Sequence, residues 1–397
     1  MATLAVEHKL VLAGRMARLG TETAFEVLSR AKALERQGRS IIHLEIGEPD
    51  FDTPSNIVEA AVDALRAGWT HYGPSAGLPE LRHTIAELVS RTRGVDVSPE
   101  EVVVVPGGKP IIFFTMLALI EEGAEVIYPN PGFPIYESMI NYVGGTAVPI
   151  PLREERDFAM DVDELVSLIN NRTKLIILNS PQNPTGGVLS RADIERVAKA
   201  IGNRDVFVLS DEIYCQLQFE GEPFSIMSVP GMKDRTILLD GFSKTYAMTG
   251  WRMGYGVMRT DLAAQITRLM TNSNSCTASF TQIAGIEAIR GNQDPVAEMR
   301  AAFASRCRAF VDRLNRIKGF SALMPKGAFY VFANITGTGW DAKRLETALL
   351  EQAGVAALAG TSFGQYGQGY LRFSVANSME NLMEAADRIE AWAKKNL

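Results

Sequence analysis

The sequence predicts an α/β fold: a large domain with a mostly parallel sheet flanked by helices, and a smaller α+β domain. Three observations predict it. Short β-branched runs without polar alternation recur along the middle of the chain, as strands buried on both faces do. Amphipathic stretches with helix start signals lie between them, and such alternation makes a parallel sheet wrapped by helices. After about residue 293 the rhythm changes to one long helical stretch followed by scattered short strands.

Taken in order, Val102–Val105, Glu125–Tyr128, Leu175–Leu178, Val206–Leu209 and Thr236–Leu239 are the predicted sheet strands. Thr53 followed by Pro54 places a proline at a first helical position, and Ser190 with Asp193 has the spacing of a capping box. Beyond the change of rhythm, a helix is expected over Pro295–Ile317, with strands at Ala328–Ala333, Val355–Leu358 and Leu371–Val375. A last helix begins near Asn377, with Glu380 three residues on. Its apolar stripe is Leu382, Ala386, Ile389 and Ala393. The expected division is a large domain over 48–292 and a small one from 1–47 with 293–397.

Composition narrows the function. A hydrophobic fraction of 46% and a charged fraction of 22% are those of an ordinary globular protein. The net charge is −6 with both signs interspersed, and no Lys/Arg block offers a polyanion footprint, so nucleic acid is not an expected partner. Cys215, Cys276 and Cys307 are far apart and form no CxxC pair, which suggests neither a disulfide framework nor a zinc site and fits a reduced, cytoplasmic setting. His8, His43, His71 and His83 show no metal-ligand clustering. The longest apolar run, Pro110–Ile120, is about half of what a bilayer span needs. Glu7, Lys9 and Arg15 surround too short an apolar stretch for a signal peptide.

The chemistry begins at Lys244, in the Gly241–Arg252 stretch that follows the strand at Thr236. A lysine at a strand end among small and aromatic residues is poorly solvated, and desolvation lowers the amine pKa as a Schiff-base nucleophile requires. Alone, it reads as a surface lysine in a loop. Asp211 closes the strand beginning at Val206, and acidic residues at the carboxyl ends of parallel strands face the site of an open α/β sheet; alone, it reads as a cap or turn residue. Ser180–Gly186 (Ser-Pro-Gln-Asn-Pro-Thr-Gly) is another strand-end turn. Gly107-Gly108-Lys109 stands where a helix opens after Val102–Val105, and glycines there present N–H groups and the positive dipole end to an anion. The spacing is not that of a nucleotide P-loop; one phosphate is the better match.

Read together, six segments in order resemble the class I/II aminotransferases of the aspartate aminotransferase superfamily (fold type I). They are Ile46-Gly47-Glu48-Pro49-Asp50-Phe51, Tyr72-Gly73-Pro74-Ser75-Ala76-Gly77, Asn183-Pro184-Thr185-Gly186, Ser210-Asp211-Glu212-Ile213-Tyr214, the Lys244 segment, and Leu371-Arg372-Phe373-Ser374. The resemblance runs from about residue 15 to the C-terminus. It implies pyridoxal 5'-phosphate as cofactor, carried by Lys244, which then serves as the general base. It further implies that Asp211 pairs with the pyridine nitrogen, which must stay protonated for the ring to act as an electron sink. Asn183 and Tyr214 would hydrogen-bond the phenolic oxygen, and Phe133 would lie over the ring. Gly108, Lys109 and Arg252 would surround the phosphate, and Tyr72 would reach a phosphate in a neighbouring subunit of a homodimer. Gly47 and Arg372, with Asn183, would receive the substrate.

The sequence departs from the family pattern in places. Gly241 stands where some members have a phosphate-binding serine, leaving Ser243 as a substitute. Phe133 stands where aspartate-specific relatives have tryptophan. Lys109 matches a lysine that some bacterial members use for an acidic substrate's distal carboxylate, but Glu22 and Glu26 lie where those relatives have small hydroxyl or apolar residues. A carboxylate there would repel acidic substrates and attract a basic amine. The expected function is transfer of an amino group from an L-amino acid to a 2-oxo acid by a ping-pong mechanism. A C–S β-lyase or other eliminase on the same fold is the alternative. A non-catalytic cofactor-binding regulator is a third, disfavoured because the segment before Gly47 is short and not basic.

Overall fold

A computed structural model describes residues 10–397; His8, Glu7 and Lys9, on which part of the N-terminal reading rests, lie outside the described residues. In chain order the first elements are α1 (Ala24–Glu35), β1 (Ile42–His43), α2 (Ser55–Arg66), α3 (Pro79–Arg93), β2 (Val102–Val105) and α4 (Lys109–Leu119). There follow β3 (Glu125–Asn130), α5 (Ile135–Val143), β4 (Thr146–Pro151), α6 (Val162–Leu168), β5 (Thr173–Asn179), α7 (Arg191–Ile201) and β6 (Phe207–Asp211). Next come β7 (Thr236–Gly241), the single turn α8 (Phe242–Thr245), β8 (Gly254–Val257), α9 (Thr260–Ser273), α10 (Ser279–Arg290) and α11 (Asp294–Leu314). The chain closes with β9 (Ser321–Ala322), β10 (Tyr330–Asn334), α12 (Ala342–Ala348), β11 (Val355–Ala356), β12 (Leu358–Ala359), β13 (Tyr370–Ser374) and α13 (Met379–Asn396).

Seven strands form the large sheet in the order β2-β8-β7-β6-β5-β3-β4. β8 runs antiparallel to β2 and β7, and the remaining pairs are parallel. Its faces are covered because each strand is apolar on both sides. Val102 and Val104 pack with Leu81, Ile85 and Ala284 of α3 and α10, while Val103 and Val105 pack with Ile112, Met139 and Ile266 of α4, α5 and α9. The five expected strands are present, each shifted or extended by at most two residues. Two were not expected. β4 carries Pro149 and Pro151, which a strand tolerates at a sheet edge, where β4 lies. β8 holds Gly254 and Gly256 and has no β-branched run to announce it.

A second sheet, β12-β13-β10-β9, is antiparallel. Its core joins Phe310 and Leu314 of α11 to Leu382, Ala386, Ile389 and Ala393, the stripe of α13. β1 pairs in parallel with β11, so the N-terminal segment joins this sheet's side of the molecule. Start signals shift slightly. Pro54 precedes α2 rather than opening it. Ser190 caps α7 by accepting from the Asp193 N–H at 3.1 Å, but the Asp193 carboxylate accepts from the Ser190 hydroxyl and not from its backbone, so the box is half formed. Among the described residues no helix is long and apolar enough to cross a membrane, and no cluster of His, Cys, Asp and Glu is built to hold a metal ion.

Candidate active site

The carboxyl ends of β5, β6 and β7 stand in register, Asn179 opposite Asp211 and Asp211 opposite Leu239. All three line a cavity of about 430 Å³ between the large sheet, the second sheet and the start of α1. Parallel strands end together, so what each carries at its last position converges, and the ligand crevices of open α/β sheets have this origin.

Asp211 is buried. Its Oδ2 accepts from the Tyr136 hydroxyl at 2.6 Å and its Oδ1 from the Ile213 N–H at 3.3 Å. Burial pushes its carboxyl from the usual 3.8 up to about 6, against the lowering effect of those two donors. Lys244 lies on the turn α8, one strand over. Its Nζ donates to the Gly47 carbonyl at 2.6 Å, and burial pulls its ammonium from 10.5 down to about 8. Gly47 has no room for a side chain: a Cβ there would stand 2.2 Å from the Tyr330 hydroxyl, which in turn shares a 2.8 Å hydrogen bond with Tyr214.

Two arginines face the same space. Arg372, on β13, is buried between the rings of Tyr330 and Phe363, at 4.5 and 4.8 Å from their centroids. It donates to Asn183 Oδ1 at 3.2 Å and to the Glu45 carbonyl, while its Nε is buried without a partner. Burial lowers its pKa. Arg252 holds φ at 56°, a conformation uncommon outside glycine and found where surroundings enforce it. Its guanidinium lies over Gly107, where a Cβ would come within 2.2 Å of Nη2; Gly107, at φ +88°, is also left-handed. Gly108 and Lys109 open α4 beside it. Among the described residues no carboxylate lies within 4 Å of Lys244, Arg252 or Arg372, whereas Lys109 pairs with Glu22.

Eleven of the twelve residues singled out from the sequence therefore line one cavity: those just described together with Tyr214, Asn183, Phe133 and Ser243. Tyr72 does not; it is 90% exposed and stands apart from this chain's own cavity. Gly241 cannot hold a serine in place, because a Cβ there would meet the Gly254 Cα at 2.9 Å across the β7–β8 pair. Glu26 is exposed and outside the cavity, and Glu22 already has a cation, so neither offers a free carboxylate to a basic substrate. Sequence reasoning missed Asn179, Tyr136, Tyr330 and Phe363. Asn179 had a signal, as the last residue of a strand next to Asp211's. Tyr136 had a weaker one, three residues beyond Phe133 at the start of α5, on the same face.

Among the described residues, a buried carboxylate with no cation beside it and three cavity-lining cations with no carboxylate within 4 Å fit a ligand that carries both signs. Pyridoxal phosphate has that character: a phosphate, a phenolic oxygen and a pyridinium, with an aldehyde for an amine. The Gly107 cradle that a Cβ would fill and the orphaned Arg372 Nε are observations of this chain that suit the cofactor and a substrate carboxylate. Fold and site together define a fold type I pyridoxal-phosphate enzyme.

The comparisons with known proteins place it more closely. The model of the family "Aminotransferase class I and II" matches residues 39–389, and the chain belongs to that family. It is 40% identical to an aspartate aminotransferase of Pyrococcus horikoshii over 97% of each chain. It is 36% identical to an aromatic-amino-acid aminotransferase of Thermococcus litoralis over 97% of this chain and 99% of that one. The solved structure of an aspartate aminotransferase from Thermus thermophilus with maleate superposes with a TM-score of 0.92 at 36% identity, over 96% of this chain and all of the other. The protein is accordingly a pyridoxal-phosphate-dependent transaminase that moves an amino group from an amino acid to a 2-oxo acid.

Proposed function

We propose that one cavity serves both half-reactions of a ping-pong transamination, with Lys244, Asp211 and Tyr214 as its catalytic residues. When bound, pyridoxal phosphate supplies an electron sink for the negative charge left on the substrate's Cα. Lys244 would hold the cofactor and, once freed by the substrate amine, would take the proton from the substrate's Cα and give it up again. An amine brought down to about 8 is suited to that exchange, since it both accepts and gives up a proton near neutral pH. Asp211 would keep the pyridine nitrogen protonated, and Tyr214 and Asn183 would hydrogen-bond the phenolic oxygen. Gly108, Ser243 and Arg252 would surround the phosphate and Phe133 would cover the ring, whereas the Lys109 ammonium is already engaged by Glu22 and is left to the substrate's side chain. Arg372, with Asn183 and the Gly47 segment, orients the substrate through its α-carboxylate, and orientation decides which Cα bond lies perpendicular to the ring and breaks.

The reading extends to the assembly. Tyr72 completes the phosphate site of a second copy in a homodimer, a role supported by its exposure and its distance from its own cavity. Residues 48–292 form the cofactor-binding domain, and 1–47 with 293–397 the small domain that carries Arg372. The three cysteines are free, in keeping with a cytoplasmic setting.

The observation that carries the reading is one cavity lined by the buried Asp211 and by three cations, Lys244, Arg252 and Arg372, that have no carboxylate within 4 Å among the described residues. Borohydride reduction of the holoenzyme, followed by peptide mass spectrometry, tests it: the pyridoxyl mass should lie on the Lys244 peptide. Label on another lysine, or on none, would overturn the assignment.

A further inference from the structure

Four cations line the cavity: Lys244, Arg252, Arg372 and Lys109. Of these, only Lys109 is answered by a carboxylate among the described residues, that of Glu22. Glu22 stands on the segment before α1, and the N–H of Gly20 in the same segment donates to Ser138 Oγ of α5 at 2.9 Å, which fixes the segment against the large sheet's helices. The Glu22 side chain is 18% exposed and lines the cavity. The Lys109 ammonium also lies 5.5 Å from the Phe133 ring centroid.

We propose that Glu22 is a specificity-determining residue: by occupying Lys109 it neutralises the side-chain end of the cavity, so that donors with apolar or aromatic side chains are accepted in preference to dicarboxylic ones. The inference rests on the reading of Arg372 as the α-carboxylate site. A substrate anchored there sends its side chain toward the rest of the lining. A dicarboxylic side chain has to break the Glu22–Lys109 pair to gain a cation, or else lie beside a carboxylate with no cation free for it. A cationic side chain meets Lys109 itself. An uncharged one leaves the pair intact and packs on Phe25, Ile112, Phe133 and Leu358, all of which line the cavity. Ile112 is three residues beyond Lys109 on α4, so helical spacing puts this apolar contact on the same face as the paired ammonium.

Two unreactive carboxylates separate the possibilities, titrated calorimetrically into the holoenzyme: succinate, a dicarboxylate, and 3-phenylpropanoate, a monocarboxylate with an aromatic end. The wild-type enzyme should bind 3-phenylpropanoate about tenfold more tightly, the scale of one charge-assisted hydrogen bond. Glu22→Gln frees Lys109 and should lower that affinity ratio about tenfold. Adding Lys109→Met to Glu22→Gln should restore the ratio, because the freed cation is gone. Equal binding of the two by the wild-type enzyme, or a ratio that Glu22→Gln leaves unmoved, overturns the inference. Arg372→Lys should weaken both ligands. If it weakens neither, the carboxylate reading beneath the inference falls and takes it along; if it weakens both while the ratio ignores Glu22, the inference alone fails.

Discussion

The Tyr136 hydroxyl donates to Asp211 Oδ2 at 2.6 Å, the only side-chain hydrogen bond this buried carboxylate accepts among the described residues. The phenol is itself buried and held well above its usual pKa by desolvation and by Asp211, so it remains a donor across the working pH range. A hydrogen bond to a charged group contributes about 1.5–3 kcal/mol, and here it favours the ionised carboxylate that a pyridinium needs. Tyr136→Phe should therefore weaken cofactor binding about tenfold, as equilibrium dialysis would measure. Asp211→Ala removes the counter-ion itself and should lower kcat/KM about a thousandfold, the scale of breaking a buried pair. Equal losses in the two variants would show that Tyr136 does more than support Asp211.

Lys244 is a burden on the fold until the cofactor is in place. Below about pH 8 both folded and unfolded chains carry its proton, and the folded one bears the full desolvation penalty. Between about 8 and 10.5 the folded state gives up the proton first; the unfolded state then binds more protons, and stability rises with pH. In the apoenzyme, Lys244→Met should thus be more stable than wild type near neutral pH by about 1–3 kcal/mol. The advantage should shrink on going to about pH 10. Urea midpoints at the two pH values decide it, and a gap that widens with pH contradicts the argument.

Much of this was legible in the sequence, for physical reasons that differ residue by residue. Asp211 and Lys244 were readable because each stands at the end of a strand whose β-branched run marks it, and parallel strands deliver their last residues to one place. Arg372 was readable only through its motif, since a single arginine on a strand says nothing of its burial between two rings. Tyr330 and Phe363 went unread because they reach the cavity through the second sheet's packing, which no local period encodes. β4 and β8 were missed for a related reason. Prolines at an edge and glycines under a neighbouring backbone are choices made by tertiary contacts, against strand propensity. Glu22 was seen as a charge, but its partner was not, and the partner reverses what the charge implies for a basic substrate.

Arg372 combines a functional gain with a structural liability. Its guanidinium is buried with an unpartnered Nε and no carboxylate within 4 Å among the described residues. Arg372→Met should lower kcat/KM for any amino-acid donor about a hundredfold or more, the scale of truncating one side of a buried charge pair. The same change should raise the apoenzyme's stability by about 1 kcal/mol, since an apolar side chain replaces an uncompensated cation. Steady-state kinetics and urea denaturation of one variant check both halves. A variant both less active and less stable would mean that the rings of Tyr330 and Phe363 compensate the charge more fully than proposed.

Tyr72 is 90% exposed, so within one chain its hydroxyl has no structural duty. Tyr72→Phe should leave the melting temperature of the apoenzyme unchanged while raising the cofactor's dissociation constant about tenfold, the loss of one hydrogen bond to a charged group. Sedimentation at the same concentrations should find a dimer in both proteins. An unchanged dissociation constant would remove Tyr72 from the phosphate site.

Behind the reacting groups, Arg93 at the end of α3 joins the two strands that carry them. Its Nε and Nη2 donate to Glu212 Oε2 at 3.0 and 2.8 Å, and Nη2 also reaches Asp240 Oδ2 at 3.3 Å. Glu212 follows Asp211 on the chain, and Asp240 lies four residues before Lys244. One buried cation thus holds two buried carboxylates, and burial raises the Asp240 carboxyl from 3.8 to about 6 even with Arg93 beside it. Arg93→Met would strand both carboxylates and should cost about 3–5 kcal/mol of stability near neutral pH. The sign with pH follows from the raised carboxyl. In the window between its unfolded value and its folded one, the folded state binds more protons, so its stability falls as pH rises. Without Arg93 that folded value climbs further, so the variant's deficit should be largest above about pH 7 and smaller near pH 5. Asp240→Asn in the Arg93→Met background removes one stranded charge and should recover part of the loss near neutral pH. A deficit that is the same at both pH values, and indifferent to Asp240→Asn, would mean that Arg93 contributes packing and not charge.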